Sequence, residues 1–317
     1  MSLKILVTGG AGYLGSILLQ ELLNRDYDVT LFDQFVYGVK PILHLISNPK
    51  LKVVKGDVRD EKHLDSYKSK ADVIFHLAAV VGFPACLNNP EFAESTNLLG
   101  SENASKNLSK DQKIIFASTG STYGRVQNIC TEDSPISPLT LYGRTKAEAE
   151  RFFENDQSVI LRYATVFGLS PRMRLDLLVN DFVNKAIHDK HLILYQSHFK
   201  RTFIHCRDAV NALVFSLDNF DKMKGQKYNI GGDELNYTKL EIAQLINKEI
   251  PDCLIIDNGR GADPDERNYE VSYKKVTDLG FKLNYSIKDG IDELKKIVPY
   301  IDRSNEWGNA WLNPTQQ

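Results

Sequence analysis

The chain has few cysteines, no long apolar run and no excess of charge of either sign. Its four cysteines, Cys86, Cys130, Cys206 and Cys253, are widely spaced and form no CxxC pair. We therefore expect neither a disulfide framework nor a zinc site. Reduced thiols in a cytoplasmic protein are the simpler interpretation.

The charge balance and the N-terminus exclude further classes of protein. With 39 basic and 41 acidic residues, the net charge is -2, so there is no electrostatic reason to expect nucleic acid or an anionic membrane as a partner. Glycines break the apolar run Ile5–Val7 well short of the roughly 20 residues that a membrane span requires. We expect no signal peptide and no membrane anchor, and hence a cytoplasmic location.

Short apolar runs alternate regularly with amphipathic stretches up to about residue 165. Continuous Val, Ile and Leu runs are typical of strands buried on both faces of a parallel sheet. The runs are Ile5–Thr8, Val29–Phe32, Val53–Lys55, Val73–Leu77, Ile114–Ser118 and Val159–Tyr163, with helical stretches at Ser16–Asn24, Pro90–Leu108 and Tyr142–Glu154. The order predicts an α/β fold built on a doubly wound parallel sheet.

The regular alternation of strand-like and helical segments ends after Gly168. Helical patterns occur near Asp176–Ala186, Asp208–Leu217, Thr238–Asn247 and Ile287–Ile297, and strand-like runs at Leu192–Tyr195 and Phe203–His205. This order predicts that the chain leaves the sheet and returns to it. We predict a large sheet domain from residues 1–167 and 203–232, and a smaller C-terminal α/β domain from residues 168–202 and 233–317.

A glycine-rich loop follows the first strand and opens the first helix. Glycine allows the turn to close and a pyrophosphate to approach backbone N–H groups at a helix N-terminus. The GxxGxxG spacing alone is weak evidence, but here the strand, the helix and a later acid agree. The candidate cofactor residues in this loop are Gly9, Gly12, Tyr13, Leu14 and Gly15.

The later acid is Asp33, at the end of the second strand. It lies near the roughly 20-residue distance expected of the group that holds the adenosine ribose hydroxyls. A carboxylate ~4 Å from a 2′-phosphate would cost on the order of 4 kcal/mol at an effective dielectric constant of ~20, which favours NAD over NADP. The alternative is a solvated aspartate in a turn.

Two further segments lie at strand C-termini, the edge where open α/β sheets bind ligands. Asp57 could accept a hydrogen bond from the adenine amine, or it could cap the helix that begins near Asp60. The candidate residues here are Asp57, Val58, Leu77, Ala78 and Ala79.

Tyr142 and Lys146 stand four residues apart on a helical stretch, so their side chains share one face. Lowering the pKa of a phenol from ~10 to about 7 takes roughly 4 kcal/mol of phenolate stabilisation, which a nearby ammonium and a cationic nicotinamide could supply. By itself, a YxxxK pattern usually consists of surface side chains without a catalytic role. Thr119 favours a catalytic role here, because it follows a strand beside the same cleft and can hydrogen-bond a substrate oxygen.

The ordered motifs TGGAGYLG, Asp33, GDV, HLAA, Asn97, STGSTYG, YGRTK, RYATVFG and RTFIH resemble the extended short-chain dehydrogenase/reductase family of nucleotide-sugar enzymes over nearly the whole chain. The resemblance implies a Rossmann-type sheet domain that binds NAD, with Asn97 among its cofactor residues, and a smaller domain that binds a nucleotide-diphosphate sugar. It also implies a catalytic site of Thr119, Tyr142 and Lys146. Family members form homodimers through two helices, here those near Pro90–Leu108 and Tyr142–Glu154.

The residues after Thr119 distinguish branches of this family. The 4,6-dehydratases that it resembles carry Asp-Glu there, the uronate decarboxylases usually have Glu at the second place, and the 3,5-epimerising branches have Cys. Here the positions hold Gly120 and Ser121. The resemblance then implies oxidation of one sugar hydroxyl, at C4, by an epimerase or a net dehydrogenase.

Several residues are candidates for contact with the sugar nucleotide. Thr165 stands where UDP-hexose 4-epimerases usually have Asn, and with the segment 170–182 it resembles bacterial enzymes that act on GDP-linked heptoses. Ser121 is the second candidate beside the sugar. His76 and His205 lie in apolar strands, and we interpret both as structural.

Four arginines are candidates for the substrate diphosphate, since a guanidinium binds phosphate in a bidentate manner. Arg201 and Arg267 match positions that hold the diphosphate in the family, and Arg172 and Arg174 are further candidates. The alternative for each is a solvated surface charge. For the whole chain, the alternative is a non-catalytic NAD-binding redox sensor or scaffold, against which the intact Tyr142 and Lys146 argue.

Overall fold

A computed structural model describes residues 2–258, 268–302 and 307–309. The elements of its first half are β1 (Lys4–Thr8), α1 (Tyr13–Asn24), β2 (Asp28–Asp33), β3 (Leu51–Lys55), α2 (Glu61–Lys68), β4 (Val73–His76), α3 (Phe83–Asn88), α4 (Pro90–Ser105), β5 (Lys113–Thr119), β6 (Arg125–Cys130), α5 (Leu141–Glu150), β7 (Ser158–Tyr163) and β8 (Thr165–Phe167). The later elements are α6 (Leu178–His188), β9 (His191–Leu194), β10 (Lys200–His205), α7 (Cys206–Asp218), α8 (Phe220–Met223), β11 (Gln226–Ile230), β12 (Asn236–Thr238), α9 (Lys239–Glu249), β13 (Leu254–Asp257), β14 (Asn268–Val271), α10 (Lys274–Asp278) and α11 (Ile287–Ile297).

The central sheet confirms the predicted Rossmann-type, doubly wound parallel architecture. Seven of the described strands form it, in the order β3-β2-β1-β4-β5-β7-β11, and every neighbouring pair is parallel. The strand order reverses at β1, where Ile5 lies opposite both Val29 of β2 and Val73 of β4. In such sheets a cleft opens at this point, beyond the carboxyl ends of the strands.

Helices cover both faces of the sheet, which explains why its strands are continuous apolar runs. Successive side chains of a strand point to opposite faces. Ile5 and Val7 of β1 accordingly belong to a core with Leu18 of α1 and Leu213 of α7, whereas Leu6 belongs to a second core on the other face with residues of α2, α4 and the end of α5.

The sequence patterns overlooked β11. Gln226 and Lys227 at its start are polar and at least partly exposed, because this strand is an edge of the sheet. Asn229 is polar but buried, and its Oδ1 accepts a hydrogen bond from the Tyr123 hydroxyl (2.6 Å). The other six strands of the central sheet begin and end within two residues of the predicted positions. Outside that sheet, the sequence patterns also missed β6, β8, β12, β13 and β14. Helix α1 begins at Tyr13 rather than Ser16, directly after Gly12.

A third hydrophobic core lies in the C-terminal part of the chain. It contains Val179 of α6, Phe203 of β10, Ile242 of α9 and Ile291 of α11. Strand β10 pairs in parallel with β8 and antiparallel with β12, outside the central sheet. The division at residues 167, 203 and 232 stays a prediction. None of the helices in the described part of the chain has the length and apolarity that crossing a membrane requires.

Candidate active site

A cleft of about 290 Å³ lies beyond the carboxyl ends of the central strands. Most of the predicted site residues line it. These are Gly9, Gly12, Tyr13, Leu14, Gly15, Asp33, Asp57, Val58, Leu77, Ala78, Ala79, Thr119, Ser121, Tyr142, Lys146, Thr165, Arg172 and Arg174. Asn97 and Arg201 do not line it, and Arg267 lies outside the residues that the structure describes.

The glycine-rich loop requires glycine at two positions. Gly9 has φ +74°, and a Cβ there would lie 2.6 Å from the backbone nitrogen of Ala78. A Cβ on Gly15 would collide with the Gly9 carbonyl. The loop delivers the chain to α1, whose N-cap Gly12 has no side chain to bond the first N–H groups and whose first turn has no acid. This helix N-terminus is therefore open to an anionic group.

Asp33 is held at the end of β2, next to the glycine-rich loop. Its carboxylate accepts hydrogen bonds from the backbone N–H groups of Ala11 (3.0 Å) and Phe35 (2.7 Å). Burial raises the pKa of Asp33, and these two N–H groups oppose that shift. A fixed carboxylate beside an open helix N-terminus fits the ribose and the diphosphate of a dinucleotide.

Asp57 does not cap a helix. The cap of α2 is Asp60, whose side chain accepts from the backbone N–H of His63. Asp57 instead forms an ion pair with Arg59 (2.6 Å from Nη2 to Oδ2) and accepts a hydrogen bond from Gln34 (3.1 Å). Although burial alone would raise it, the bonds and charge of Arg59 lower the pKa of Asp57.

Asn97 forms hydrogen bonds to the backbone of the cleft wall but does not line the cleft itself. Its Oδ1 accepts from the Val80 backbone N–H (2.8 Å), and its Nδ2 donates to the Val80 carbonyl (3.1 Å) and to Thr145 Oγ1 (3.0 Å). The side chain is fully buried. Asn97 thus ties the loop after β4 to α5, so it positions cofactor-facing backbone and does not line the cleft.

Thr119, Tyr142 and Lys146 all line the cleft. Thr119 is the last residue of β5 and donates a hydrogen bond to Ser121 Oγ (3.1 Å). Lys146 Nζ lies 4.0 Å from the centroid of the Phe116 ring. Burial lowers the pKa of Lys146 to about 7, and the charge of Glu150 opposes the shift. An ammonium in these surroundings can give up its proton near neutral pH.

A buried network positions α5, the helix that carries Tyr142 and Lys146. Glu150, one turn beyond Lys146, pairs with Arg162 of β7 (2.7 Å from Nη2 to Oε2) and accepts from Ser118 Oγ of β5 (2.6 Å). No sequence pattern predicted this network. The available signal was the spacing, since Glu150 continues the helix face of Tyr142 and Lys146.

Among the described residues that line the cleft, the acidic side chains are Asp33, at the end of β2, and Asp57, after β3. Both strands lie on the opposite side of β1 from β5, which ends at Thr119. In this part of the chain, no other element supplies the acids that Gly120 and Ser121 lack.

The three described candidate arginines are all buried, so the surface-charge alternative is wrong for each. Arg174 pairs with Asp176 through Nε (3.1 Å) and Nη2 (2.5 Å). The guanidinium of Arg172 lies 4.2 Å from the centroid of the Tyr37 ring. Arg201 is buried on β10 away from the cleft, where its Nη1 donates to the Lys200 carbonyl.

The two strand histidines have structural surroundings, as predicted. His76 is buried between the hydroxyls of Thr8 (2.8 Å) and Ser101 (3.1 Å). Burial and the charges of Lys146 and Lys68 lower the pKa of His76 to about 3, so it is neutral. His205 bonds Glu293 (2.8 Å) and does not line the cleft.

Comparisons with known proteins agree with this geometry. The family model described as the NAD-dependent epimerase/dehydratase family matches residues 5–231. A putative UDP-glucose 4-epimerase of Methanocaldococcus jannaschii is 30% identical over 95% of this chain and 99% of its own. A UDP-glucuronic acid decarboxylase of Danio rerio is also 30% identical, over 96% of this chain and 73% of its own.

A solved structure has the same fold over nearly its full length. It is the UDP-glucuronic acid 4-epimerase of Bacillus cereus in complex with UDP-glucuronic acid and NAD, with a TM-score of 0.82 and 28% identity over 93% of this chain and 99% of that chain. The glycine-rich loop, the fixed Asp33 and these relatives lead to one conclusion: the chain belongs to the NAD-dependent epimerase/dehydratase family and is an enzyme whose cofactor is NAD.

Proposed function

We propose that this enzyme oxidises the C4 hydroxyl of a nucleotide-diphosphate sugar and then reduces the resulting ketone on its other face, as a 4-epimerase. The observation that carries the proposal is that Thr119, Tyr142 and Lys146 all line the NAD cleft. NAD supplies the hydride acceptor and returns the hydride, so that it is regenerated in each cycle.

In this proposal Tyr142 is the base. Its phenolate oxygen takes the proton of the sugar hydroxyl while hydride leaves the carbon, and it gives the proton back when the ketone is reduced. Thr119 donates a hydrogen bond to the same sugar oxygen. Lys146 lies one turn along the helix, where its ammonium stabilises the phenolate. The anionic phenolate in turn favours the protonated form of Lys146, whose pKa burial lowers to about 7.

The residues after Thr119 favour epimerisation over dehydration and decarboxylation. A dehydratase needs an acid to protonate a departing hydroxyl and a base to remove a ring proton. Gly120 and Ser121 supply neither, and the acids in the described cleft wall, Asp33 and Asp57, lie on the opposite side of β1 from the strand that ends at Thr119. The relatives that are 30% identical to this chain include a decarboxylase. Uronate decarboxylases usually have Glu where this chain has Ser121, and this difference favours epimerisation over decarboxylation.

The relatives favour uridine as the base of the substrate. The names of the relatives from Methanocaldococcus jannaschii, Danio rerio and Bacillus cereus all specify UDP-linked sugars. We therefore propose a UDP-hexose or UDP-hexuronate as substrate, ahead of the GDP-heptose to which Thr165 and the segment 170–182 point. Contact of Ser121, Thr165, Arg172, Arg174, Arg201 and Arg267 with the substrate stays a prediction.

To test the proposal, the purified enzyme is incubated separately with UDP-glucose, UDP-glucuronic acid and a GDP-heptose. The products are analysed by mass spectrometry and proton NMR. An epimerase leaves the mass unchanged and alters the couplings of the proton at C4. Loss of two hydrogens would identify a net dehydrogenase, and loss of carbon dioxide a decarboxylase; either product in place of the epimer would overturn the proposal. The family membership already disfavours a non-catalytic scaffold.

We further propose a homodimer formed through α4 and α5. The two helices pack against each other, and Leu99 of α4 is 41% exposed on their outer side. Leu99→Glu should convert a dimer to monomers in light scattering coupled to size-exclusion chromatography, and a monomeric unmodified protein would contradict the proposal. The cytoplasmic location stays a prediction.

A further inference from the structure

Asn309 connects the two sides of the NAD cleft. Its Nδ2 donates to the Val81 carbonyl (3.1 Å) in the loop after β4, and its backbone carbonyl accepts from the Tyr37 hydroxyl (3.3 Å) in the loop after β2. Because β4 and β2 flank β1 in the sheet, these loops lie on either side of the glycine-rich loop. The contacts form a bridge, Tyr37–Asn309–Val81, over that loop.

Further contacts hold Asn309 from the side of the segment after β8. Arg172 Nη2 donates to Asn309 Oδ1 (3.2 Å) and to the Gly308 carbonyl (3.4 Å). The backbone N–H of Asn309 donates to the Asp176 carboxylate. Asn309 is only 7% exposed and lines the cleft. One residue thus joins three separate parts of the chain at the mouth of the cleft.

The bridge is polar, and its residues line the same cleft as the glycine-rich loop. The open N-terminus of α1, at Tyr13, fixes the expected position of that diphosphate. Arg172 stacks on Tyr37 at 4.2 Å and is bonded to Asn309, so a guanidinium forms part of the same cover. A bound diphosphate would lie between the glycine-rich loop and this cover.

We propose that Asn309 is a positioning residue that retains NAD in the cleft between turnovers. The dinucleotide cannot enter or leave while the hydrogen bonds of the bridge are closed, so their opening limits cofactor exchange. Retention suits a reaction that returns its hydride to the sugar, because no second oxidant has to reach the cofactor. The advantage of retention for a reaction that returns its hydride rests on the proposed function. The retention itself rests only on the binding of NAD.

The test measures cofactor release from the holoenzyme. The protein is loaded with radiolabelled NAD and chased with excess unlabelled NAD, and the retained label is followed over time. Asn309→Ala removes the bonds to Val81 and Arg172 and should speed release by about tenfold or more, since a hydrogen bond contributes roughly a few-fold to tenfold. Tyr37→Phe removes one bond and should give a smaller increase.

Asn24→Ala is the matched control, because Asn24 lies at the exposed end of α1 and bonds only Gln20 among its described contacts. Its release rate and the melting temperature of its NAD-free form should equal those of the unmodified protein. Activity that Asn309→Ala loses on dilution should return when NAD is added.

An unchanged release rate in Asn309→Ala would overturn the proposal. If that variant is less stable without NAD, Tyr37→Phe decides: faster release supports the bridge, and unchanged release overturns it. The nucleotide-sugar assays above are independent of this rate, so failure of the proposed function would be seen separately.

Discussion

Arg162 of β7 and Glu150 of α5 form an ion pair, with 2.7 Å between Nη2 and Oε2 and both side chains only 2% exposed. Arg162 Nε makes a second bond to Glu150 Oε1 (2.9 Å), so the contact is bidentate. Since Glu150 follows Lys146 by one turn of α5, the pair fixes the position of this helix against β7.

Removing one member of this pair should destabilise the fold strongly. Arg162→Met leaves the Glu150 carboxylate buried without its main cation, and we expect the free energy of unfolding to fall by about 3–5 kcal/mol. Urea denaturation measures it. The control is Lys274→Ala, which breaks the exposed Lys274–Asp278 pair and should cost less than about 1 kcal/mol. Equal effects of the two substitutions would show that the buried pair does not hold the helix.

Replacing Tyr142 by phenylalanine should abolish most turnover and leave cofactor binding intact. Loss of a positioned general base typically lowers the rate by about 10²–10⁴. The ring remains, so the bound nicotinamide should still be detectable by absorbance in the purified variant. Turnover within a few-fold of the unmodified enzyme would exclude Tyr142 as the base.

The buried Lys146 should make stability depend on pH. Burial lowers its pKa in the folded protein from 10.5 to about 7, so between these values the unfolded chain binds more protons than the folded one. Relative to Lys146→Met, the free energy of unfolding of the NAD-free protein should therefore rise from pH 7 to pH 10. The rise should not exceed about 1.4 kcal/mol per pH unit. Parallel pH profiles of the two proteins in urea denaturation would contradict a lowered pKa.

Asp33 should determine the choice of cofactor. Asp33→Ser removes the carboxylate that would repel a 2′-phosphate, a repulsion on the order of 4 kcal/mol at an effective dielectric constant of ~20. We expect the preference for NAD over NADP, measured as a ratio of dissociation constants, to fall by at least about tenfold. Asp28→Ser, at the exposed start of the same strand, is the control and should keep the preference. An unchanged ratio in Asp33→Ser would show that another group selects NAD.

Much of the sheet and part of the site follow from local patterns. Strands buried on both faces must be apolar throughout, which is why six of the seven central strands can be identified from the sequence; β11, a polar edge strand, lacks that signal. The glycine-rich loop is similar, because Gly9 with φ +74° needs a residue without Cβ. The position of Tyr142 and Lys146 on one helix face follows from the helical period alone.

Contacts between distant parts of the chain carry no such local signal. Arg172, Arg174 and Arg201 look alike in the sequence, yet the path of the chain after β8 brings the first two to the cleft and buries the third on β10. Asn309 bonds Val81 across 228 positions of the chain. Periodicity and residue type act over a few neighbours, and so they decide strands, turns and helix faces. Which side chains from remote segments meet at the cleft depends on how the helices and sheets pack, and only the folded chain decides it.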